Sequence, residues 1–533
     1  MTSIYRLTLA LAFTLASISS VKADIYNSLK TLNSTLICIE NRYVDTVNVD
    51  ELTEVAIKAV LKELDPHSTY LSPKEVKEMN EGLGGSFEGI GVRYQMENDT
   101  LLVINTVSGG PSEKVGILAG DRIVMVGDST IAGQKFATNE IQRRLRGPKG
   151  SVVKLGIMRQ GEKNLLWFDV ERDKIPVYSI DAAYMAAPEI GYIRIARFAQ
   201  TTPEEMFDAM VKLDQEGMQH LIIDLQNNGG GYLNSAVELA NFILPSAESV
   251  VYTDGRTDGR RDYITRHLSD YFHGRLVVLI DEQSASASEI LAGCIQDLDR
   301  GVIVGRRSFG KGLVQSPIRL PNGGMLRLTI SHYYTPSGRC IQKPFTKGDQ
   351  QSYNRDLIDR LNHGELIHAD SISFPDSLKY YTRGGRVVYG GGGIMPDCFV
   401  PLDTTRISKA HRAVIAKGTM NKCIVQYFKE NQRKLHEQFP TIDAFIDETT
   451  GFKNTDEIVG KIIEQAQRDS VDNDSLSSLY ANDLFRRQVK AYLANDLYES
   501  GAYNRIMNET AQIYREGLAI IRDEERYNEL LRK

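Results

Sequence analysis

The stretch RLVVLIDEQSASASEILAGCIQDL, Arg275 to Leu298, decides the fold. It opens with five consecutive apolar residues, Leu276 to Ile280, without the alternation of a half-exposed strand. Such a run is a strand covered on both faces, the habit of parallel sheets. A polar loop of small residues follows. Ile290, Leu291, Cys294, Ile295 and Leu298 then recur at helical spacing. The same strand–loop–helix grammar repeats to either side. Upstream come a strand at Ile190 to Phe198, a helix at Glu204 to Leu213, a buried strand at His220 to Leu225, the loop Gln226-Asn227-Asn228-Gly229-Gly230-Gly231, and a helix through AVELANFIL. Downstream, GVIVG (Gly301 to Gly305) is another strand. The alternation defines an α/β core across about 173–400.

Within that core, Ser284, Ser286 and Ser288 stand where a buried strand turns into a helix. A serine there is most often a helix cap. It also has backbone N–H groups and the positive end of the helix dipole beside it, the donors a tetrahedral oxyanion requires. Downstream, GRRSFGKG (Gly305 to Gly312) comes within one residue of a phosphate-binding loop. Gly312 stands where that loop needs a hydroxyl for Mg²⁺, and LVQSPIRLPNGGMLRLTISHYY then alternates like a β-hairpin instead of opening a helix. Nucleotide binding is excluded on both counts. There is no G-x-S-x-G elbow, and the nine histidines are scattered without a triad pattern. A serine lacking histidine can use lysine as its base if the amine is uncharged. Lys311 must then be buried deeply enough to lose roughly 3 pH units from 10.4, about 4 kcal/mol. Ser151-Val-Val-Lys154 also matches S-x-x-K, but on a strand its Ser and Lys diverge, and no S-D-N or K-T-G accompanies it.

The 533 residues are too many for one core and call for three or four domains. Arg6, the apolar run Leu7 to Ala16, and the small residues ending Val21-Lys22-Ala23 read as an export signal covering 1–23, with an uncleaved membrane anchor as the lesser alternative. The mature chain is expected to be soluble and periplasmic, or otherwise outside the cytoplasm. Residues 24–84 read as helical; on the helix Glu51 to Leu64, residues Leu52, Val55, Ala56, Ala59, Val60 and Leu64 share one face, suited to packing or to pairing with a second copy. Residues 85–172 form a β-rich module with two helices, ending in the strand VVKLGIMR. Residues 401–533 are polar, helical and without a chemical motif. A net charge of −6 argues against nucleic acid as a partner. Five cysteines without a C-x-x-C pair exclude a structural zinc site. No metal or cofactor is expected.

SASASEILAG followed by VGRRSFGKGLVQ, together with IGYIRIARF, DLQNNGGG, YYTPSGRCIQ and GGGIMPD in this order, resembles the carboxyl-terminal processing proteases of peptidase family S41. The similarity covers about residues 30–400. Gly89-Ile90-Gly91-Val92 and the later GILAGDRI resemble a PDZ domain. The resemblance implies a multidomain α/β protein with a crotonase/ClpP-like protease core, an inserted PDZ domain and helical termini. It implies an ATP-independent serine endopeptidase with Ser286 as nucleophile, Lys311 as base and Gln315 orienting the lysine. The oxyanion hole falls on the N–H of Ala287 and of a loop glycine, chiefly Gly230. An acidic residue proposed as catalytic in some members falls on Asp297, where a structural helix role is the stronger reading. The Gly89–Val92 loop would receive the carboxylate of apolar C-termini, with the peptide added as a strand beside Val92-Arg93-Tyr94. Gly229 stands where relatives often have proline, and Cys340 where they often have serine. Two other classes fit parts of this pattern: a catalytically inactive PDZ scaffold, and an acyl-CoA enzyme on the crotonase-like fold, which the export signal and PDZ disfavour.

Overall fold

A computed structural model describes residues 25–532, apart from 98, 160, 267–270, 448, 472 and 499–500. The export signal read at 1–23 lies outside the described residues. The apolar runs become a six-stranded sheet in the order Ile180–Ala187, Ile190–Ile195, His220–Asp224, Leu276–Ile280, Val302–Gly305, Cys398–Phe399. The first pair is antiparallel and the remaining pairs are parallel. Successive side chains leave a strand on opposite faces. Ile223, Val278, Ile280 and Ile303 therefore meet one layer of helices, and Ile222, Val277, Leu279 and Val304 meet another. The first layer includes Thr202–Gln215, Leu233–Ala240 and Ala287–Asp297.

The second layer corrects the expected boundary at residue 401. Helices Gln512–Arg522 and Glu524–Leu530 cover the sheet through Ile513, Tyr514, Ile520, Ile521 and Tyr527. The tail is thus not one unit. Helices from Lys409–Ala416 to Ala502–Asn508 have a hydrophobic core of their own, whereas the last two complete the enzyme core. The expected hairpin forms from Leu313–Arg319 and Met325–Tyr334. It belongs to a second sheet that also holds Thr69–Leu71, Ser249–Gly255 and Gly259–Ile264.

The β-rich module is a sheet ordered Val92–Glu97, Thr100–Thr106, Arg122–Val126, Val152–Met158, Leu166–Glu171. Val152–Met158 is therefore not its final strand: Leu166–Glu171 pairs with it along its whole length. The chain enters along Ser86–Gly89 and leaves along Asp173–Pro176, which pair antiparallel, so the module is an insertion on adjacent stalks. Its outer sheet face is held by the C-terminal helices. Arg93 pairs with Asp496, Lys429 reaches Glu97 at 3.1 Å, and Leu102 and Ile104 pack on Val425.

The early helix spans Val49–Lys62, capped by Asn48. Its expected apolar face is largely exposed: Val55 and Val60 are 63% and 62% accessible, and Leu61 is the buried residue. A preceding helix over 25–42 leaves Ile25, Leu29 and Leu32 exposed. All five cysteines are unpaired, and Cys294 is buried in the core. Among the described residues no helix is long and apolar enough to cross a membrane.

Candidate active site

The three serines after Leu276–Ile280 have different tasks. Ser284 and Ser288 are fully buried; Ser284 Oγ donates to the Leu225 carbonyl at 2.8 Å and Ser288 Oγ to that of Asn228 at 2.9 Å. Both stitch the turn to the glycine loop, as does Asp281, whose carboxylate accepts the Asn227 N–H at 3.0 Å. Ser286 alone lies at φ 57°, ψ −114°, immediately before the helix Ala287–Asp297. That backbone costs roughly 1–3 kcal/mol for a residue with a Cβ and persists only where the surroundings enforce it.

The enforcing group is Glu289. It sits three residues after Ser286, the capping-box spacing, and is fully buried. Its Oε2 accepts the N–H of Ser286 at 2.8 Å and that of Lys311 at 2.9 Å. Its Oε1 accepts Ser308 Oγ at 2.6 Å and the Gly310 N–H at 2.7 Å. Burial pushes its carboxyl above the ordinary range, and these donors pull the other way. On the opposite side the Tyr333 hydroxyl lies 2.5 Å from the Lys311 carbonyl and 3.2 Å from that of Ser286. One carboxylate and one phenol therefore clasp the backbone of both residues.

Ser286, Lys311 and Gln315 line one cavity of about 590 Å³, with Gly229 to Gly231, Arg327, Tyr333, and Met79, Asn80 and Leu83 from the helix Pro73–Leu83. The Lys311 amine is pushed down to about 8, first by burial and then by the Arg327 charge, with Glu289 and Asp65 opposing. Gln315 Nε2 donates to the Leu313 carbonyl at 3.3 Å and reaches Thr329 Oγ1 at 3.5 Å. Thr329 Oγ1 in turn donates to Asp65 at 3.0 Å. His67 follows Asp65 and meets the Tyr353 hydroxyl at 2.8 Å; burial and then Lys311 push its imidazole down to about 4.

The glycine loop touches the serine directly. A Cβ on Gly230, where φ is +96°, would stand 2.7 Å from Ser286 Cβ and 2.9 Å from the Ala287 nitrogen. The Gly230 N–H, however, donates to Asn228 Oδ1 at 2.9 Å. That Asx turn engages the donor assigned to the oxyanion, because Asn228 is itself fixed through Nδ2 to the Ile195 carbonyl at 2.7 Å. Asp297 lies at the far end of the helix and is no part of the cavity lining. It forms a fully buried ion pair with Arg339 at 2.7 Å and accepts the Ser337 N–H at 3.0 Å.

In the inserted module, Ile90 is buried, and its carbonyl accepts from Ser112 N and Oγ. Gly91 takes φ +70°, and Val92 opens the edge strand. Gly89 ends the entry stalk, close to Phe87 and Arg146. Arg146 stacks over Phe87 and pairs with Glu81 of the helix that lines the cavity. Sequence reading missed Glu289, Tyr333, Arg327 and the Asp65–His67 turn; only Glu289 carried a local signal, its spacing from Ser286.

These layers define an α/β core with an inserted β-rich module, and one cavity of that core gathers Ser286, Lys311 and Gln315. The family model for peptidase family S41 matches residues 189–351, the PDZ domain model matches 89–170, and a family of unknown function matches 410–499. The carboxy-terminal-processing protease of Bartonella bacilliformis is 36% identical over 309 residues, 57% of this chain and 70% of that one. The carboxy-terminal processing protease CtpB of Bacillus subtilis is 33% identical over 57% of this chain and 64% of its own length. Among solved structures, the photosystem II D1 C-terminal processing protease matches at TM-score 0.33 and 28% identity, over 58% of this chain and 89% of that one. The chain belongs to peptidase family S41, with the carboxy-terminal processing proteases.

Proposed function

We propose that the chain is an exported, ATP-independent serine endopeptidase acting on proteins recognised by their C-termini. Ser286 is the nucleophile and Lys311 the general base. The neutral Lys311 amine takes the Ser286 proton as Oγ attacks the peptide carbonyl. The Ala287 N–H and a glycine N–H of the 229–231 loop stabilise the oxyanion. The protonated lysine then gives its proton to the leaving amine, and water, deprotonated by the same lysine, releases the acyl group. Gln315 orients the lysine, and Asp297 is structural. The observation that carries the reading is a lysine amine lowered to about 8 in the cavity that Ser286 lines. An amine at 10.4 would be neutral in about one molecule in 2,500 at pH 7; at 8 the share is about one in eleven.

The PDZ module would take an apolar C-terminus at Gly89, Ile90, Gly91 and Val92. The Glu81–Arg146 pair would relay its arrival to the helix Pro73–Leu83 over the cavity. A second copy would join through the helix 25–42, where Ile25, Leu29, Leu32, Leu36 and Ile39 recur at the alternating spacing of a coiled-coil seam. The test is degradation of a protein with an apolar C-terminus by wild type, Ser286→Ala and Lys311→Ala. Cleavage by wild type alone supports the reading; equal cleavage by all three rejects it, and binding without any cleavage leaves the inactive scaffold.

A further inference from the structure

The lining of the active-site cavity is electrically one-sided. It contains Lys311, Arg319 and Arg327 and no aspartate or glutamate. Acids are not scarce: the chain has 69 against 63 Lys and Arg, and the half-buried Arg194 and Arg307 and the buried Arg306 and Arg386 are each in ion pairs, whereas Arg327 is half-buried and Arg319 exposed. Among the described residues the guanidinium groups of Arg319 and Arg327 are in no hydrogen bond or ion pair. They are also neighbours. Arg327 lies opposite Pro317 and Arg319 opposite Met325, so the two arginines share one face as a diagonal pair across the hairpin. Like charges so placed repel across a ladder, and no acid lines the cavity between them. Both project from the paired strands of the hairpin, and both line the cavity.

We propose that Arg319 and Arg327 form a carboxylate subsite that selects an acidic residue within a few positions of the scissile bond. The inference rests on the peptidase reading and adds a second selection, next to the cut, to that of the C-terminus. Guanidinium forks match a carboxylate bidentately, which gives direction as well as charge. Arg319 also lines the adjoining cavity of about 580 Å³, where Lys77 and Lys174 are balanced by Glu81 and Glu88, so the one-sided charge is confined to the active-site cavity. A bound carboxylate would also offset the Arg327 charge that helps keep Lys311 neutral, so substrate and base share one electrostatic balance.

The test uses matched peptides that differ only in Glu against Gln near the cleavage site, each with a free and an amidated C-terminus. Wild type and Arg319→Gln/Arg327→Gln are compared. Wild type is expected to show kcat/KM about tenfold higher for Glu, the size of one charge-assisted contact at a partly exposed site. In the double variant the ratio should fall to within about twofold, and in wild type it should shrink in high salt. A ratio taken within one enzyme cancels the effect of Arg327 on Lys311. A preference that follows the free terminus instead of the side chain overturns the selection of an acidic residue and leaves the two arginines to the chain end. Equal cleavage of Glu and Gln peptides by wild type, or a ratio that survives the double substitution, overturns the subsite. Binding of the same pairs to Ser286→Ala separates this from failure of the peptidase reading: tighter binding of the Glu peptide upholds the subsite without turnover, and equal binding removes it.

Discussion

Lys311→Met separates the chemical demand on this residue from its structural one. The fold holds the amine at about 8 against an ordinary 10.5. A base whose folded value is depressed destabilises the native state wherever the unfolded chain carries the proton and the folded one resists it. The penalty is full below pH 8, fades between 8 and 10.5, and vanishes above. Two and a half pH units correspond to about 3.4 kcal/mol at most; the amine keeps some solvent contact, so about 1–3 kcal/mol is expected. Methionine retains the length of the side chain and removes the charge. Lys311→Met should therefore be more stable than wild type by about 1–3 kcal/mol at pH 7, with the gain shrinking to under half by pH 9.5, while peptidase activity is lost. Urea unfolding of both proteins at the two pH values, followed through the core transition, measures it. A variant less stable than wild type at pH 7, or a gain that does not shrink with pH, would refute burial as the origin of the lowered amine.

Other outcomes follow from the same geometry. In wild type, kcat/KM should rise about tenfold per pH unit below 7 and level off above about 8 as Lys311 loses its proton, a limb that Arg327→Gln moves to higher pH. Glu289→Gln sets an amide N–H₂ against two of four N–H or O–H donors and should cost about 2–4 kcal/mol in unfolding free energy, with kcat falling far more than KM changes. Gly230→Ala should nearly abolish turnover, because its Cβ would sit 2.7 Å from Ser286 Cβ at φ +96°; a peptide assay reads the loss. Replacing Leu29 and Leu32 with Asp should yield monomers in sedimentation if the helix 25–42 joins two copies.

What could be read in the sequence follows how local each signal is. Leu276–Ile280 and His220–Asp224 declared themselves by unbroken apolar runs, since a doubly covered strand needs no partner to be recognised. Ser286, Lys311 and Gln315 were found through ordered motifs, and one cavity collects them. Val55 and Val60 misled because helical spacing says which residues share a face and not whether anything covers it; here Leu61 makes the buried contact. The Gly230 N–H was assigned without its competitor, an Asn228 side chain two positions away. Asp65 follows directly on the expected helix Glu51 to Leu64 and carries no motif. Its contact with Thr329 spans 264 positions, and no local pattern encodes it. The final helices looked like the rest of the tail, because the apolar stripe of Ile513, Ile520 and Ile521 does not say which sheet it covers.

The paired stalks Ser86–Gly89 and Asp173–Pro176 make the PDZ module a cassette. Ser86 and Pro176 are direct cross-strand partners, so a tight turn closing that gap would leave the catalytic body with an unbroken chain and no insert. Grafting another reader onto the same two strands would be geometrically simple, yet incomplete. The C-terminal helices grip Arg93 and Glu97 from outside, so a replacement that lacks these two handles would swing free. Exchange of specificity in this architecture thus requires two matched pieces, the reader and the helical hand that steadies it.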